Sequence, residues 1–339
     1  MRRGQLAALK SAAKGRRRGL IVIYGNPDPD ALGGAWALKK IFKKWGTSSS
    51  IVYTGEIGRP ENQALVEFLR IPAARLCPED VGRADLVAVV DAQPAFFPAG
   101  LLPRIDIVFD HHPRGGRLAP FSDIRPACLA TSSILTEYLR AARCRIDRRI
   151  ATALYYGIIT DARNSGRQRS RADSAALELL ARHVDRRVLR RIECSSYSLD
   201  RLDYFAIAII RLRHHRGAIY VHVGPVPSAD VCAQIADFLI RVKEANWALV
   251  SGVANNTLVV VFRSDGQYGN AGESASSAFG RFGSAGGHET MGRAEIGAGA
   301  LPDGMLLTQS ERIERFILNR LSKTRADFGP MLRDLPRES

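Results

Sequence analysis

The sequence predicts an α/β protein of two domains, a parallel-sheet domain followed by a smaller α/β domain. Three observations carry this. The chain has 339 residues, more than the roughly 100–200 that usually share one core. Its first half alternates short β-rich runs with helical stretches, a pattern that implies parallel strands joined by right-handed crossovers. From about residue 211 the order changes to strands in hairpin sequence. At 46% hydrophobic and 24% charged residues the chain can bury a sizeable core, which excludes disordered and collagen-like classes.

Strands are expected at 20–24, 50–53, 86–90 and 105–109, where apolar and β-branched residues run together for strand length. Apolar residues at helical spacing predict helices over 31–45, 61–69, 132–142, 147–159 and 171–184, and one over 188–208 that bridges to the second domain. There, 217–223 reads as strand, 228–241 as helix, and 247–255 with 257–263 as a hairpin turning at Asn255-Asn256. The Gly/Ser-rich stretch 266–299, interrupted by Phe279, Phe282 and His288, reads as a binding loop, and 309–323 as a closing helix. The boundaries that follow are 1–190 for the first domain, 191–210 for a helical linker, 211–325 for the second domain and 326–339 for a polar tail.

No apolar run approaches the roughly 18–20 residues that span a bilayer, so no membrane partner is expected. The basic start of the chain is followed by an apolar run of strand length only, without a small-residue cleavage site, which argues against a secretion signal. Cys77, Cys128, Cys144, Cys194 and Cys232 form no CxxC pair; scattered thiols suit a reducing cytoplasm. Lys and Arg exceed Asp and Glu by 49 − 34 = 15, a field that favours phosphate-bearing partners, although an arginine-rich genome would give the same excess. The sequence contains neither GxGxxG nor GxxxxGK[ST]. Trp36 and Trp45 read as core, and His214-His215 among Arg211, Arg213 and Arg216 as a solvated basic turn. Arg163, Arg167, Arg169 and Arg171 read as a solvated loop, with phosphate contact as the alternative.

Ligands of a parallel sheet gather beyond the carboxyl ends of its strands. The first strand ends in Gly25-Asn26-Pro27-Asp28-Pro29-Asp30, two proline-stiffened carboxylates that suit a hard divalent cation, where a single Asp would be a plain helix cap. The third strand ends in Asp91, and the next in Asp110-His111-His112. Adjacent side chains point apart, so one histidine can bind metal while the other meets substrate as acid or phosphate donor. Asp161 follows a later apolar segment. Four carboxylates and a histidine are what two divalent cations would need.

These motifs in this order resemble the DHH phosphoesterase superfamily, over most of the chain. Gly286-Gly287-His288, preceded by Phe262-Arg263-Ser264, is similar to the signature of its DHH-associated C-terminal domain. The resemblance implies a DHH catalytic domain, a smaller DHH-associated domain and a cleft between them. It implies that Asp28 binds one metal, that Asp30, His111 and Asp161 bind the other, and that Asp91 bridges them. Asp110 would support the histidines, His112 would meet the phosphate, and Arg263, Gly286, Gly287 and His288 would hold substrate. Two departures stand out. Tyr24 occupies a position that carries a metal-binding histidine in many relatives, and Asn26 one that carries an aspartate in RecJ-like members, so a neutral amide oxygen is offered to the first metal. After Gly286-Gly287-His288 comes Glu289-Thr290-Met291 where Ala-Gly is commoner.

The implied activity is hydrolysis of phosphodiester or phosphomonoester bonds by a hydroxide on two divalent cations, manganese or alternatively magnesium. Short oligonucleotides, cyclic dinucleotides and 3′,5′-bisphosphate nucleotides are the expected substrates. Pyrophosphatases share the first motifs but not the second domain, and a processive exonuclease would bring further nucleic-acid-binding domains. The alternative is a nucleotide-binding or regulatory protein with weakened chemistry, and the reading leaves room for a homodimer. An architectural DNA-binding role would leave the acidic cluster unexplained.

Overall fold

A computed structural model describes residues 4–165, 168–195, 199–267, 269–302 and 304–322. The expected tail, 326–339, lies outside them, as do Arg167 and Lys323. By internal packing the chain divides into two units, 1–163 with 167–196, and 197–339 with 164–166.

The first unit runs α1 (Gln5–Ala13), β1 (Arg18–Ile23), α2 (Pro29–Lys44), β2 (Ser48–Tyr53), α3 (Pro60–Leu69), β3 (Ala73–Arg75), α4 (Pro78–Arg83), β4 (Leu86–Val90), β5 (Ile107–Asp110), β6 (Phe121–Ile124), α5 (Thr131–Ala141), α6 (Arg148–Ser165), α7 (Arg171–Ala181) and α8 (Arg186–Glu193). Its six strands form a sheet in the order β3-β2-β1-β4-β5-β6, with every pair parallel. Side chains alternate across it. Ile21 and Ile23 join one core with Leu38, Leu135 and Leu154, while Leu20 and Val22 join another with Val52, Val89 and Val108. Both faces are therefore buried, which is why β1 and β4 read as unbroken apolar runs.

The second unit runs α9 (Leu199–Arg211), β7 (Arg213–His215), β8 (Ala218–Pro225), α10 (Ala229–Leu239), β9 (Trp247–Ala254), β10 (Thr257–Ser264), α11 (Ala271–Phe279), β11 (Ser284–Gly287), β12 (Met291–Gly297) and α12 (Ser310–Leu321). Its sheet, β11-β12-β10-β9-β8-β7, is antiparallel except for the β8–β9 pair. Asn255 and Asn256, at φ 49° and 59°, turn the β9–β10 hairpin in the left-handed region that Asn tolerates.

Three expectations are corrected. The stretch 266–299 is not a loop but contains α11, β11 and β12. The helix expected over 188–208 is two helices, α8 and α9. Arg213–His215 is an edge strand paired with β8, not a turn, and Arg213 bonds Glu314. Among the described residues no helix is long and apolar enough to cross a membrane, and all five cysteines are free.

Candidate metal centre

Four chain segments meet at the carboxyl edge of the first sheet. Asp28 caps α2, its carboxylate accepting the Ala31 N–H at 2.8 Å. Two residues on, Asp30 is fully buried beneath the start of α5, where its oxygens accept the N–H groups of Thr131 and Ser132, each at 2.7 Å. These are helix N-terminal donors without intrahelical partners, so they hold a carboxylate well. Asp91 follows β4 at φ 62°, a conformation that non-glycine residues seldom adopt, fixed by a 2.8 Å bond from its N–H to Phe109 O and by the Thr131 hydroxyl on Oδ1.

His111 joins the segments. Its Nε2 lies 3.4 Å from Asp91 Oδ1 and 3.4 Å from Asp161 Oδ2, the latter delivered by α6. Asp30, His111 and Asp161 form one group of donor atoms within 4.8 Å of one another; Asp91, His111 and His112 form a second. Two donors of one small divalent cation sit about 3 Å apart, so 3.4 Å suits shared ligation better than a direct charged hydrogen bond.

The electrostatics favour a cation. Burial pushes the Asp30 carboxyl up to about 7, with Asp28 adding to it. Burial raises Asp91 well above the usual carboxylate range, reinforced by Asp30, Asp28, Asp161 and Asp110. Asp28 is raised by burial as well. Like charges packed this closely ionise together only when positive charge sits among them. The donor set, carboxylate oxygens with one imidazole, suits a hard or borderline divalent cation rather than a thiolate-seeking metal.

Asp110 behaves differently. Burial opposes its ionisation, but the bond and charge of His112, with Gln93, hold the carboxyl below its ordinary value. Its Oδ1 accepts from the His111 N–H and lies 2.8 Å from His112 Nδ1, while Oδ2 accepts from Gln93. Burial alone would lower His112; the Asp110 bond and charge raise it. Sequence reasoning missed Gln93, which also donates to Pro113 O and accepts the Gly115 N–H, and missed Thr131 and Ser132.

The remaining expected residues make contacts of their own. Asn26 Oδ1 accepts the Glu56 N–H at 2.9 Å, and the Tyr24 ring packs on Phe97 with centroids 4.8 Å apart. Arg263 ends β10 in the second unit, buried, with Nε 2.5 Å from Asp237 Oδ1 and Nη1 on Phe262 O. Gly286 and Gly287 line a concave surface of about 750 Å3 with Asn270, Gly272, Glu273, Ser276 and Ser277. Gly287 has φ 148°, and a Cβ there would fall 2.1 Å from Met291 O. The His288 N–H donates to that same oxygen at 2.7 Å. Arg163 pairs with Glu193.

Residues 20–158 match the DHH family, N-terminal domain. The chain is 34% identical over 281 residues to an uncharacterized protein of Methanocaldococcus jannaschii, an alignment covering 83% of this chain and 58% of that protein. An exopolyphosphatase-related protein from Bacteroides fragilis shares the fold at 13% identity and a TM-score of 0.73, over 98% of both chains. An exonuclease RecJ bound to manganese shares it at 16% identity and a TM-score of 0.50, again over 98% of both. With the motif-bearing strand ends gathered at one sheet edge in this fold, residues 20–158 form an N-terminal domain of the DHH family.

Proposed function

We propose that this protein is a divalent-metal-dependent hydrolase of phosphoric ester bonds in small nucleotides: short oligonucleotides, cyclic dinucleotides or 3′,5′-bisphosphate nucleotides. One observation carries the reading. Asp30, Asp91, His111 and Asp161 converge from distant segments into two overlapping ligand groups whose carboxyls resist common ionisation without a cation. Asp28, Asp30, Asp91, His111 and Asp161 hold two cations, manganese or magnesium. When bound, such ions supply charge neutralisation to a phosphoryl transition state and acidify water.

The other residues do the rest. Asp110 fixes the His112 ring through Nδ1 and stabilises its protonated form, so His112 can give its Nε2 proton to the departing oxygen. Gln93 in turn fixes Asp110. In the second unit Arg263, Gly286, Gly287 and His288 are the nucleotide-binding residues of this reading, a guanidinium beside small residues that let phosphate approach backbone amides.

The test is a hydrolysis panel with manganese over a dinucleotide, a cyclic dinucleotide, a 3′,5′-bisphosphate nucleotide and pyrophosphate. Turnover of at least one of the first three, abolished by a chelator, is expected; no turnover of any of them overturns the reading. A second reading, a nucleotide-binding protein with weakened chemistry, is favoured by one observation: the amide oxygen offered by Asn26 is bonded to the Glu56 N–H. Metal content after manganese loading separates the two: two ions per chain favour the enzyme, one or none the binding protein.

A further inference from the structure

Away from the metal centre, the first unit carries a concavity of about 1020 Å3 whose lining is dominated by arginine. Arg140 enters from the end of α5, Arg145 from the α5–α6 connection, and Arg148 and Arg149 from the first turn of α6; Trp36 contributes an indole and His183 an imidazole. Among the described residues the four guanidinium groups and the His183 ring make no hydrogen bond or ion pair. The carboxylate in the lining, Asp147, is already used: it pairs with Lys40 and accepts the Ile150 N–H.

The backbone that presents these groups is held in place. Lys40 Nζ donates to Arg145 O at 3.3 Å and Lys44 Nζ to Arg143 O at 2.6 Å, so lysines of α2 tie down the connection while its arginine heads stay unpaired. Arginine is the cation suited to this arrangement, since its fork grips phosphate with two parallel bonds. The first turn of α6 adds positive dipole character, although Asp147 already accepts the Ile150 N–H there. Trp36 adds a ring on which a base can stack.

The concavity is also distinct from the metal centre. Arg148 and Asp161 are 13 residues apart on one helix, about 20 Å at 1.5 Å per residue.

We propose that this concavity is a second binding site for nucleotide phosphates, whether of a free nucleoside triphosphate or of a single strand. The ligand places its phosphates among Arg140, Arg145, Arg148 and Arg149 and a base toward Trp36.

The test is binding by the full chain in EDTA, where hydrolysis cannot intervene, with fluorescein-labelled octathymidylate in one arm and ATP in the other. Binding is read by anisotropy and by tryptophan emission. We expect at least one probe to bind saturably and the Arg145→Ala/Arg148→Ala/Arg149→Ala variant to bind it about tenfold more weakly or worse. The single variant Arg148→Glu gives the same direction should the triple variant misfold. Trp36→Phe should abolish the emission change on binding. The arm that responds identifies the source of the phosphate. Saturable binding by neither probe, a smaller loss in the variants, or loss in Arg263→Ala instead overturns the proposal. Because nothing here depends on turnover, failure of this site and failure of the hydrolase reading are separate results.

Discussion

The raised carboxyl of Asp91 follows from burial and from the charges of four neighbouring carboxylates. Removing it should take the one carboxylate from the group of Asp91, His111 and His112, and with it the anion that the proposed reading shares between two cations. We expect Asp91→Ala to lower kcat/KM with manganese by about 1000-fold, roughly 4 kcal/mol of transition-state stabilisation, and to lose bound metal. Activity within about tenfold of wild type would exclude the bridging role. Asp110 makes a different prediction. His112 has its pKa raised by the Asp110 bond and charge, so its proton is lost as pH rises through that raised value. Asp110→Asn removes the charge, and the same loss should come at lower pH. The alkaline limb of the pH–rate profile should therefore move down, with metal content retained; an unmoved limb would mean that His112 is not the acid. Asp28, Asp30, Asp91, Asp110 and His111 were legible in the sequence because they stand at or just beyond the ends of parallel strands, which share one edge, whereas Asp161 lies on α6 and showed only as an acid after an apolar segment. Gln93 was not: an uncharged amide carries no signal until the chain brings Asp110, Pro113 and Gly115 around it.

The helices hold the acids in register through contacts that the sequence shows only as glycine. A Cβ on Gly157 of α6 would fall 2.8 Å from Asp30 Cα and 3.0 Å from Pro29 O, and one on Gly33 of α2 would fall 3.1 Å from the Ala153 carbonyl carbon. The two backbones thus touch, and this contact sets Asp161 against Asp30 and His111. Gly157→Val should push α6 away, at a cost of roughly 1–3 kcal/mol in stability, and weaken manganese affinity, read by titration. Gly82→Ala, with nothing near its Cβ position but inside α4, is the control: manganese affinity should stay unchanged and stability should rise by at most about 1 kcal/mol. The same economy of side chains hid α11, β11 and β12. Gly272 lies where a Cβ would meet Gly287 C at 2.4 Å, and Gly292 where it would meet Ala271 O at 2.3 Å. Residues chosen for close approach leave no apolar period to read, so the stretch resembled a loop. The strands β1, β4 and β10, with larger side chains buried on both faces, were plain by contrast.

The two units carry separate cores, and their ionisable groups make opposite demands on pH. In the first, Asp30 and Asp91 have raised carboxyls and His112 a raised imidazole, so between about pH 5 and 7 the metal-free folded unit binds more protons than the unfolded chain. Its stability should rise as pH falls. In the second, His222 is buried against Ser251 and burial lowers it to about 4 from 6.5. Here the unfolded chain binds the extra proton, so stability falls as pH drops through that window, by roughly 3 kcal/mol at most. Glu314, raised by burial, works against this loss, and His222→Leu isolates the histidine's share. Manganese at about 100 times its dissociation constant should add roughly 2.7 kcal/mol per occupied site to the first unit alone, and should reverse its acid stabilisation, because bound cations require the carboxylates ionised. Of the three tryptophans, Trp36 and Trp45 belong to the first unit and Trp247 to the second. Trp36→Phe/Trp45→Phe therefore reports the second unit by fluorescence, and Trp247→Phe the first. Denaturant midpoints at pH 7.5 and 5.5 should move in opposite directions in the two reporters without metal, and manganese should shift only the first. Parallel shifts in both would mean that the units unfold as one, or that the acidic cluster is not where the pH response originates.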